Sequence, residues 1–480
     1  MPETNTYDLI VIGSGPAGEK AAVKAAYFGK KVALVEKSRD AGGAGVQTGT
    51  LPSKALKETA LYFSRVYEKH IFEKSDHRLR KTKHTQFTYR RDLSRKEMQD
   101  EVVNNLFRHK VEIYRGAGSF TDKNRILIRG EKESVIEGKN ILIATGSYPA
   151  NPPEIPFDGK RIHDSDTILN IKRFPKSLCV IGAGVIGCEY ATIYAAMGVK
   201  VYLINNRDNI LPFLDEEVAD ALVVQMKRQG IEILFNSSVR NFFKPAKAKD
   251  NIRLVLKNGE ELETDMVLYA AGRSGNIREL SLEKAGIETG VRETILVNEN
   301  YQTNIPHIYA AGDVIGFPAL ASTSMDQGRV AVSHMYKIRD LDTVHKIFPY
   351  GIYTVPEVSM VGMTEKEAGS KGISYNTGVS RVREIARGMI QGSPDDGFLK
   401  MVFDNDTKII LGVHIIGRMA TELIHYGMTL VQDRKTLDQV IATVFNYPTF
   451  HDLYKYAAYD GLGNRSGKNI KNPKKVIHRF

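Results

Sequence analysis

A strand, a glycine-rich turn and a helix of small residues occur twice in this chain, and few local patterns constrain a fold so tightly. The first copy reads YDLIVIGSGPAGEKAAVKAA, with Gly13, Gly15 and Gly18; the second reads SLCVIGAGVIGCEYATIYAA, with Gly182, Gly184 and Gly187. In each, the first glycine permits a tight turn, the second lets the backbone approach a pyrophosphate, and the third lets the helix pack against the strand. The helix N-terminus then offers unpaired amides and the positive end of its dipole to phosphate oxygens. Each copy runs on into a second apolar strand, VALVEK and VYLINN, which completes a βαβ unit and implies two dinucleotide-binding folds.

The copies differ where the adenosine ribose is read. Glu36 lies at the end of the second strand of the first copy, where a carboxylate accepts hydrogen bonds from ribose hydroxyls and repels a 2′-phosphate. Asn205 stands as far after Gly182 as Glu36 does after Gly13, and Arg207 follows it. An amide bonds a ribose hydroxyl and a guanidinium bonds a phosphate, so the second site is expected to accept both NAD(H) and NADP(H), while the first suits FAD or NAD.

With 480 residues, 42% hydrophobic and 26% charged, the chain has the composition of an ordinary globular protein of roughly three domains. No run approaches the roughly 18 apolar residues of a membrane span, and MPETNTYDLIVIG lacks a basic leader with an apolar core, so a cytoplasmic protein is expected. The net charge of +11 is concentrated between Lys69 and Lys96 and in the tail GNRSGKNIKNPKKVIHRF, polar stretches without aromatic platforms that read as solvated surface rather than a nucleic-acid site. The two cysteines, Cys179 and Cys188, match neither a CxxC pair nor a zinc site; one lies in an apolar strand and the other in the following helix, so no metal and no catalytic thiol is expected.

Beyond Glu36, the run AGGAGVQTGTLPSKAL resembles the redox-active segment of the flavoprotein disulfide reductases, the class-I pyridine nucleotide-disulfide oxidoreductases that include lipoamide dehydrogenase and glutathione reductase. The likeness continues through ILIATGSYP, DMVLYAAGRSGN, HIYAAGDVIGFPALASTSMDQGRVA, GIYTVPEVSMVGMTE and LGVHIIG. It implies an α/β fold with two Rossmann-like three-layer dinucleotide-binding domains and a C-terminal α+β dimerisation domain. A discontinuous FAD domain would cover 1–150 and 280–345, an NAD(P) domain 151–279 and an interface domain 346–465, with a basic tail over 466–480. Carried over position by position, Gly13, Ser14, Gly15, Pro16, Gly18, Glu36, Lys37, Gly42, Gly43, Gly45, Lys54, Gly118, Thr145, Gly146, Asp313 and Ala321 would hold FAD, Asp313 at the ribityl chain. Gly182, Gly184, Val185, Gly187, Glu189, Asn205, Arg207 and Gly272 would hold the nicotinamide dinucleotide. Lys54 and Glu189 resemble the ion pair that the family sets beside the reactive edge of the flavin, where a cation stabilises the reduced anionic ring. His414 and Tyr447 would lie near a subunit contact in a homodimer or larger homo-oligomer, and a packing or hydrogen-bonding role for either stands beside any catalytic one.

The departures narrow the activity. Disulfide reductases carry two cysteines in GGxCxxxGCxPSK; here those positions are Gly45 and Thr50, and the HPTxxE run reads YPTFHD, with Tyr447 for His and Asp452 for Glu. Exchange needs a thiolate nucleophile, so a disulfide relay is excluded. Intact nucleotide motifs without the relay resemble the soluble, Si-specific pyridine nucleotide transhydrogenases, a branch whose pattern shares the threonine and the YPT run, although Gly45 departs even there. The resemblance implies ping-pong hydride transfer between NADPH and NAD⁺ through flavin N5, with Lys54, Glu189 and Thr50 as site residues and Thr50 filling the place of a cysteine. Two alternatives stand beside it: a diaphorase or oxidase passing electrons to quinone or oxygen, and a flavin-bound scaffold without turnover. Supplied with NADPH, the purified protein is therefore expected to generate no thiol from lipoamide or glutathione disulfide; thiol release well above a protein-free control, followed with a chromogenic thiol reagent, would contradict this.

Overall fold

A computed structural model of the chain describes residues 5–64, 82–245, 247, 250–339, 343–392 and 397–467. Much of the basic stretch and nearly all of the basic tail lie outside the described residues. The chain divides into two compact units, the first made of Met1–Leu56, Lys83–Arg173 and Ala270–His345, the second of Lys57–Thr82, Phe174–Tyr269 and Lys346–Phe480.

The first unit is built on a mixed sheet in the order Glu112–Arg115, Val32–Glu36, Asn5–Ile12, Glu133–Ile143, Arg125–Arg129, Ala117–Phe120, with Ile308–Ala310 also paired to Glu133–Ile143. The long strand Glu133–Ile143 does two jobs: Glu133–Glu137 pair antiparallel with Arg125–Arg129, and Ile136–Ile143 run parallel to the first strand. Alternation along the first strand sends Leu9 and Val11 to one face, against Ala21, Ala22 and Ala25 of the helix Pro16–Tyr27, and Ile10 and Ile12 to the other, against Phe120, Ile126 and Ile136. A parallel centre buried on both faces explains why the strand reads as a continuous apolar run.

The second unit repeats the theme. Glu232–Leu234, Lys200–Ile204, Ser177–Ile181 and Met266–Tyr269 form parallel neighbours, and Val239–Phe243, Ile252–Leu256 and Glu261–Thr264 form an antiparallel sheet. A five-stranded antiparallel sheet follows, in the order Tyr350–Ile352, Glu357–Gly362, Ile410–Gly417, Phe398–Asp404, Tyr375–Arg381. The helices Ala420–Gln432 and Asp452–Arg465 cover it with Leu423, Ile424, Leu453 and Tyr454. The α/β class expected from the sequence is thus observed, with Rossmann-like sheets in both units. Among the described residues, no helix is long and apolar enough to cross a membrane.

Within the second unit a single lysine joins the nucleotide-binding sheet to the C-terminal one. The Lys400 side chain is 1% exposed, and its ammonium meets Asp215 at 2.9 Å, Glu217 at 3.0 Å and Glu365. Burial opposes the charge, but these three carboxylates outweigh it and raise the lysine pKa. Those same carboxylates lie close enough to share a cation, and the ammonium sits among them. His414, directly across the ladder from Lys400, is wholly buried with Nε2 against the Met363 carbonyl at 2.9 Å. It therefore packs inside the unit and is not available to a subunit contact, which corrects the expectation from sequence: LGVHIIG is a strand buried on both faces, and the histidine is one of its interior residues.

Two outcomes are expected. Lys400→Met leaves the Asp215 carboxylate, itself 2% exposed, without its cation, and lowers the unfolding free energy in urea by about 3–5 kcal/mol. Burial depresses the His414 pKa, so the unfolded chain takes up this proton first as pH falls below about 6.5. The stability the neutral ring contributes is full above that pH and is lost below it; the thermal midpoint is expected to drop between about pH 7 and about pH 5, and less steeply in His414→Gln.

Candidate functional site

The two glycine turns have the same geometry. Gly13 and Gly182 take φ of 104° and 106°, and their amides donate to Val35 O and Ile204 O, each at 2.8 Å. A β-carbon on Gly18 would collide with Gly13 O, and one on Gly187 with Gly182 O. Each helix therefore sits directly on its turn. The helices Pro16–Tyr27 and Val185–Ala196 begin at N-caps Gly15 and Gly184, neither of which supplies a side-chain cap. The first-turn amides thus have no side-chain acceptor, and Gly184 faces open space. Such an arrangement fits an anionic diphosphate in both places. Val185 is the first residue of its helix.

In the first unit, the segment after Glu36 closes over the turn with no room for side chains. A β-carbon on Gly43 would lie 2.7 Å from the Gly15 Cα, and one on Gly45 2.7 Å from the Pro16 Cγ. A side chain at position 45 would therefore require the Pro16 ring to shift. Glu36 is buried and accepts from Ser14 N at 2.8 Å and Ser14 Oγ at 2.6 Å on one oxygen and from Ser38 N at 2.7 Å on the other. Ser14 Oγ also accepts from Gly42 N at 3.0 Å. Ser14 is therefore a bracket between Glu36 and Gly42, and the carboxylate, with about four acceptor positions, keeps capacity for a ribose hydroxyl. Lys37 reaches the surface and pairs with Glu279 at 3.3 Å. Gly118 lies in the strand Ala117–Phe120 with its side-chain direction toward Val35 and Ile126, so a ligand could meet it through its backbone alone.

At the same end of the sheet, beside the Gly13 turn, Thr145 and Gly146 follow Ile143. Thr145 Oγ1 is buried without a partner, as is Ser324 Oγ on the helix Ala321–Tyr336, which begins at Ala321. Buried hydroxyls of this kind fit a polar ligand at this edge. Asp313 accepts from Ser147 Oγ at 3.0 Å, and the preceding Gly312 amide is held by Gln327 Oε1 at 2.8 Å. Arg273, next to Gly272, donates to Ser147 Oγ and Ser147 O at 2.8 Å each and to Ser165 Oγ at 3.3 Å, and stands 3.8 Å from Asp166. Burial raises the Asp166 pKa and Arg273 counters it. Sequence reasoning passed over Ser147, Arg273, Ser165 and Asp166. Two of them stood inside the quoted runs ILIATGSYP and DMVLYAAGRSGN, but partners distant in the chain give no local pattern.

In the second unit, Glu189 lies one turn into the fingerprint helix, 3% exposed, and accepts from Tyr353 N at 3.0 Å. Asn205 is buried and its amide donates to Asn209 O at 2.7 Å and Arg207 O at 3.4 Å, so it shapes the loop from which Arg207 projects, exposed. In the first unit, Thr50 begins the helix Thr50–Ser64 in an exposed position, and Lys54, one turn on, donates to Ser53 Oγ at 3.2 Å. Both cysteines are buried, and burial pushes their thiols up, away from the reactive thiolate. Tyr447 is 73% exposed beside Val444 at 90%.

The sequence matches the family described as "Pyridine nucleotide-disulphide oxidoreductase" over residues 7–328 and that family's dimerisation domain over residues 348–458. It is 41% identical over 468 residues to the soluble pyridine nucleotide transhydrogenase of Mycobacterium tuberculosis (strain ATCC 25177 / H37Ra), covering 96% of this chain and 98% of the relative. It is 37% identical to the protein of the same name from Vibrio cholerae serotype O1, covering 96% and 99%. Among solved structures it resembles the HOCl-induced flavoprotein disulfide reductase RclA from Escherichia coli, with a TM-score of 0.84, 25% identity and coverage of 93% and 99%. LpdA from Mycobacterium tuberculosis, at 24% identity, shares the fold with a TM-score of 0.86, covering 95% of this chain and 99% of LpdA. The chain is thus an oxidoreductase that belongs to the pyridine nucleotide-disulphide oxidoreductase family.

Proposed function

We propose that this protein is an FAD-dependent soluble pyridine nucleotide transhydrogenase, which exchanges hydride between NADPH and NAD⁺ by admitting the two nicotinamides in turn to one site. The carrying observation is the combination of two phosphate turns of identical geometry with glycine and threonine at the family's cysteine positions. The names of its relatives support the same reading. FAD, when bound, supplies the hydride acceptor and donor at its N5.

The residues of the chain do the rest. The amides that open the helix Pro16–Tyr27 receive the FAD diphosphate, Glu36 holds the adenosine ribose, and Asp313, braced by Ser147, meets the ribityl chain. The helix Val185–Ala196 receives the nicotinamide dinucleotide, with Asn205 shaping the ribose loop and Arg207 reaching a 2′-phosphate. By resemblance to the family, Lys54 supplies the cation beside the flavin and Glu189 a carboxylate that orients the nicotinamide, and Thr50 occupies the place of a cysteine. Catalysis then rests on orientation and on a cation placed where negative charge develops. The discontinuous FAD domain over 1–150 and 280–345, the NAD(P) domain over 151–279 and the interface domain over 346–465 belong to this proposal. So do a homodimer through the dimerisation domain, where Val444, Tyr447, Tyr456 and Tyr459 expose apolar surface, and a cytoplasmic location.

Anaerobic titration of the yellow protein with NADPH is expected to bleach the flavin absorbance, and NAD⁺ added next is expected to restore it. Bleaching without restoration, with faster turnover of quinone or oxygen than of NAD⁺, would make the protein a diaphorase. Arg207→Ala is expected to weaken NADPH binding by about tenfold or more, the loss of one charge-assisted bond, and to leave NADH binding within about twofold. Equal losses for the two would misplace the 2′-phosphate.

A further inference from the structure

The helix Thr50–Ser64 carries two lysines one turn apart, and the second has no part in the reading above. Lys57 is buried, its side chain 3% exposed, with the ammonium against Glu357, itself 10% exposed, and against Glu58 at 2.9 Å. The second Glu357 oxygen accepts from Thr421 N at 3.1 Å and Thr421 Oγ1 at 2.8 Å, so both oxygens are engaged. Burial opposes the lysine charge, yet the ion pair with Glu357 holds its pKa above the ordinary value. A buried pair of this kind adds little net stability over packed apolar side chains of similar size, but its directional bonds fix one geometry.

What that geometry fixes is visible in the residues just before Glu357. Tyr353 N donates to Glu189 Oε1 at 3.0 Å, Val355 N donates to Thr192 Oγ1 at 3.1 Å, and Val355 O accepts from the Gln229 side chain. Residues 353–357 are therefore a strap, tied at one end to the helix that carries Glu189 and at the other to Lys57. Residues three apart on a helix are neighbours on its surface, so whatever fixes Lys57 fixes the rotation at which the same helix presents Lys54.

We propose that Lys57 and Glu357 are positioning residues for hydride transfer: the buried pair fixes the rotation at which the helix Thr50–Ser64 presents Lys54. The inference rests on the proposed role of Lys54 as the cation beside the flavin. It assigns the buried pair no contact with substrate.

The test uses full-length, FAD-loaded protein as wild type, Lys57→Met/Glu357→Gln and Lys57→Arg. Removing both charges together avoids leaving either one buried alone. The double variant is expected to stay folded and yellow and to bind NADPH within about threefold of wild type, while flavin bleaching in stopped flow slows on the order of tenfold or more. Its flavin midpoint potential is expected to shift downward as the Lys54 charge moves off the ring, and Lys57→Arg is expected to recover most of the rate. Wild-type rate and potential in the double variant would overturn the proposal, and so would failure of that variant to fold, which would make the pair structural. A wild-type protein that NADPH does not bleach would overturn the functional reading itself.

Discussion

The structure depends on two places where a helix sits so close to the turn before it that no β-carbon fits between them. At Gly18 and Gly187 the collision would be with the carbonyl of the first glycine of the same turn. That contact fixes where each helix begins, and with it the amides that have no other acceptor. Because both turns are also tied by the same amide bond to the neighbouring strand, at Val35 and at Ile204, the chain carries two turns of one design on two sheets, each with a geometry that fits an anion. The chemistry proposed for the protein is a consequence of that duplication: one site keeps a dinucleotide and the other exchanges it.

What separates this chain from a disulfide reductase is also a matter of space. Gly45 packs closely on the Pro16 ring, and Thr50 stands exposed at the head of the next helix. The two cysteines present are interior residues of a strand and a helix, their thiols held neutral by burial. Hydride transfer asks only that two rings be held face to face beside a fixed charge, so the family scaffold can serve it with the relay removed. Buried charges do the holding in the second unit, where Lys400 ties the nucleotide-binding sheet to the C-terminal sheet and Lys57 ties its helix to Glu357.

The sequence made the local features legible and left the distant ones hidden. Glycine spacing, the apolar run of the first strand and the offset of Glu36 all depend on residues within one βαβ unit, and the observed turns follow them. Lys57 and Glu357, Lys400 and Asp215, and Arg273 with Ser147 each join segments far apart in the chain, where charge alone reads as surface. Gly118 shows a related limit: its lack of a side chain serves the packing of Val35 and Ile126. Asn205 was expected to touch a ribose, and its amide nitrogen also organises the loop that presents Arg207, a role the sequence did not show. His414 was expected near a subunit contact, and it is instead an interior strand residue with Nε2 against a backbone carbonyl.

The central claim is that one flavin serves two nicotinamides in turn at one site. Initial rates measured across a matrix of NADPH and NAD⁺ concentrations test it most directly, with an NAD⁺ analogue whose reduced form absorbs apart from NADPH. The account predicts parallel lines in double-reciprocal plots, with each nicotinamide inhibiting competitively against the other at high concentration. Intersecting lines, which require both dinucleotides to be bound together, would contradict it.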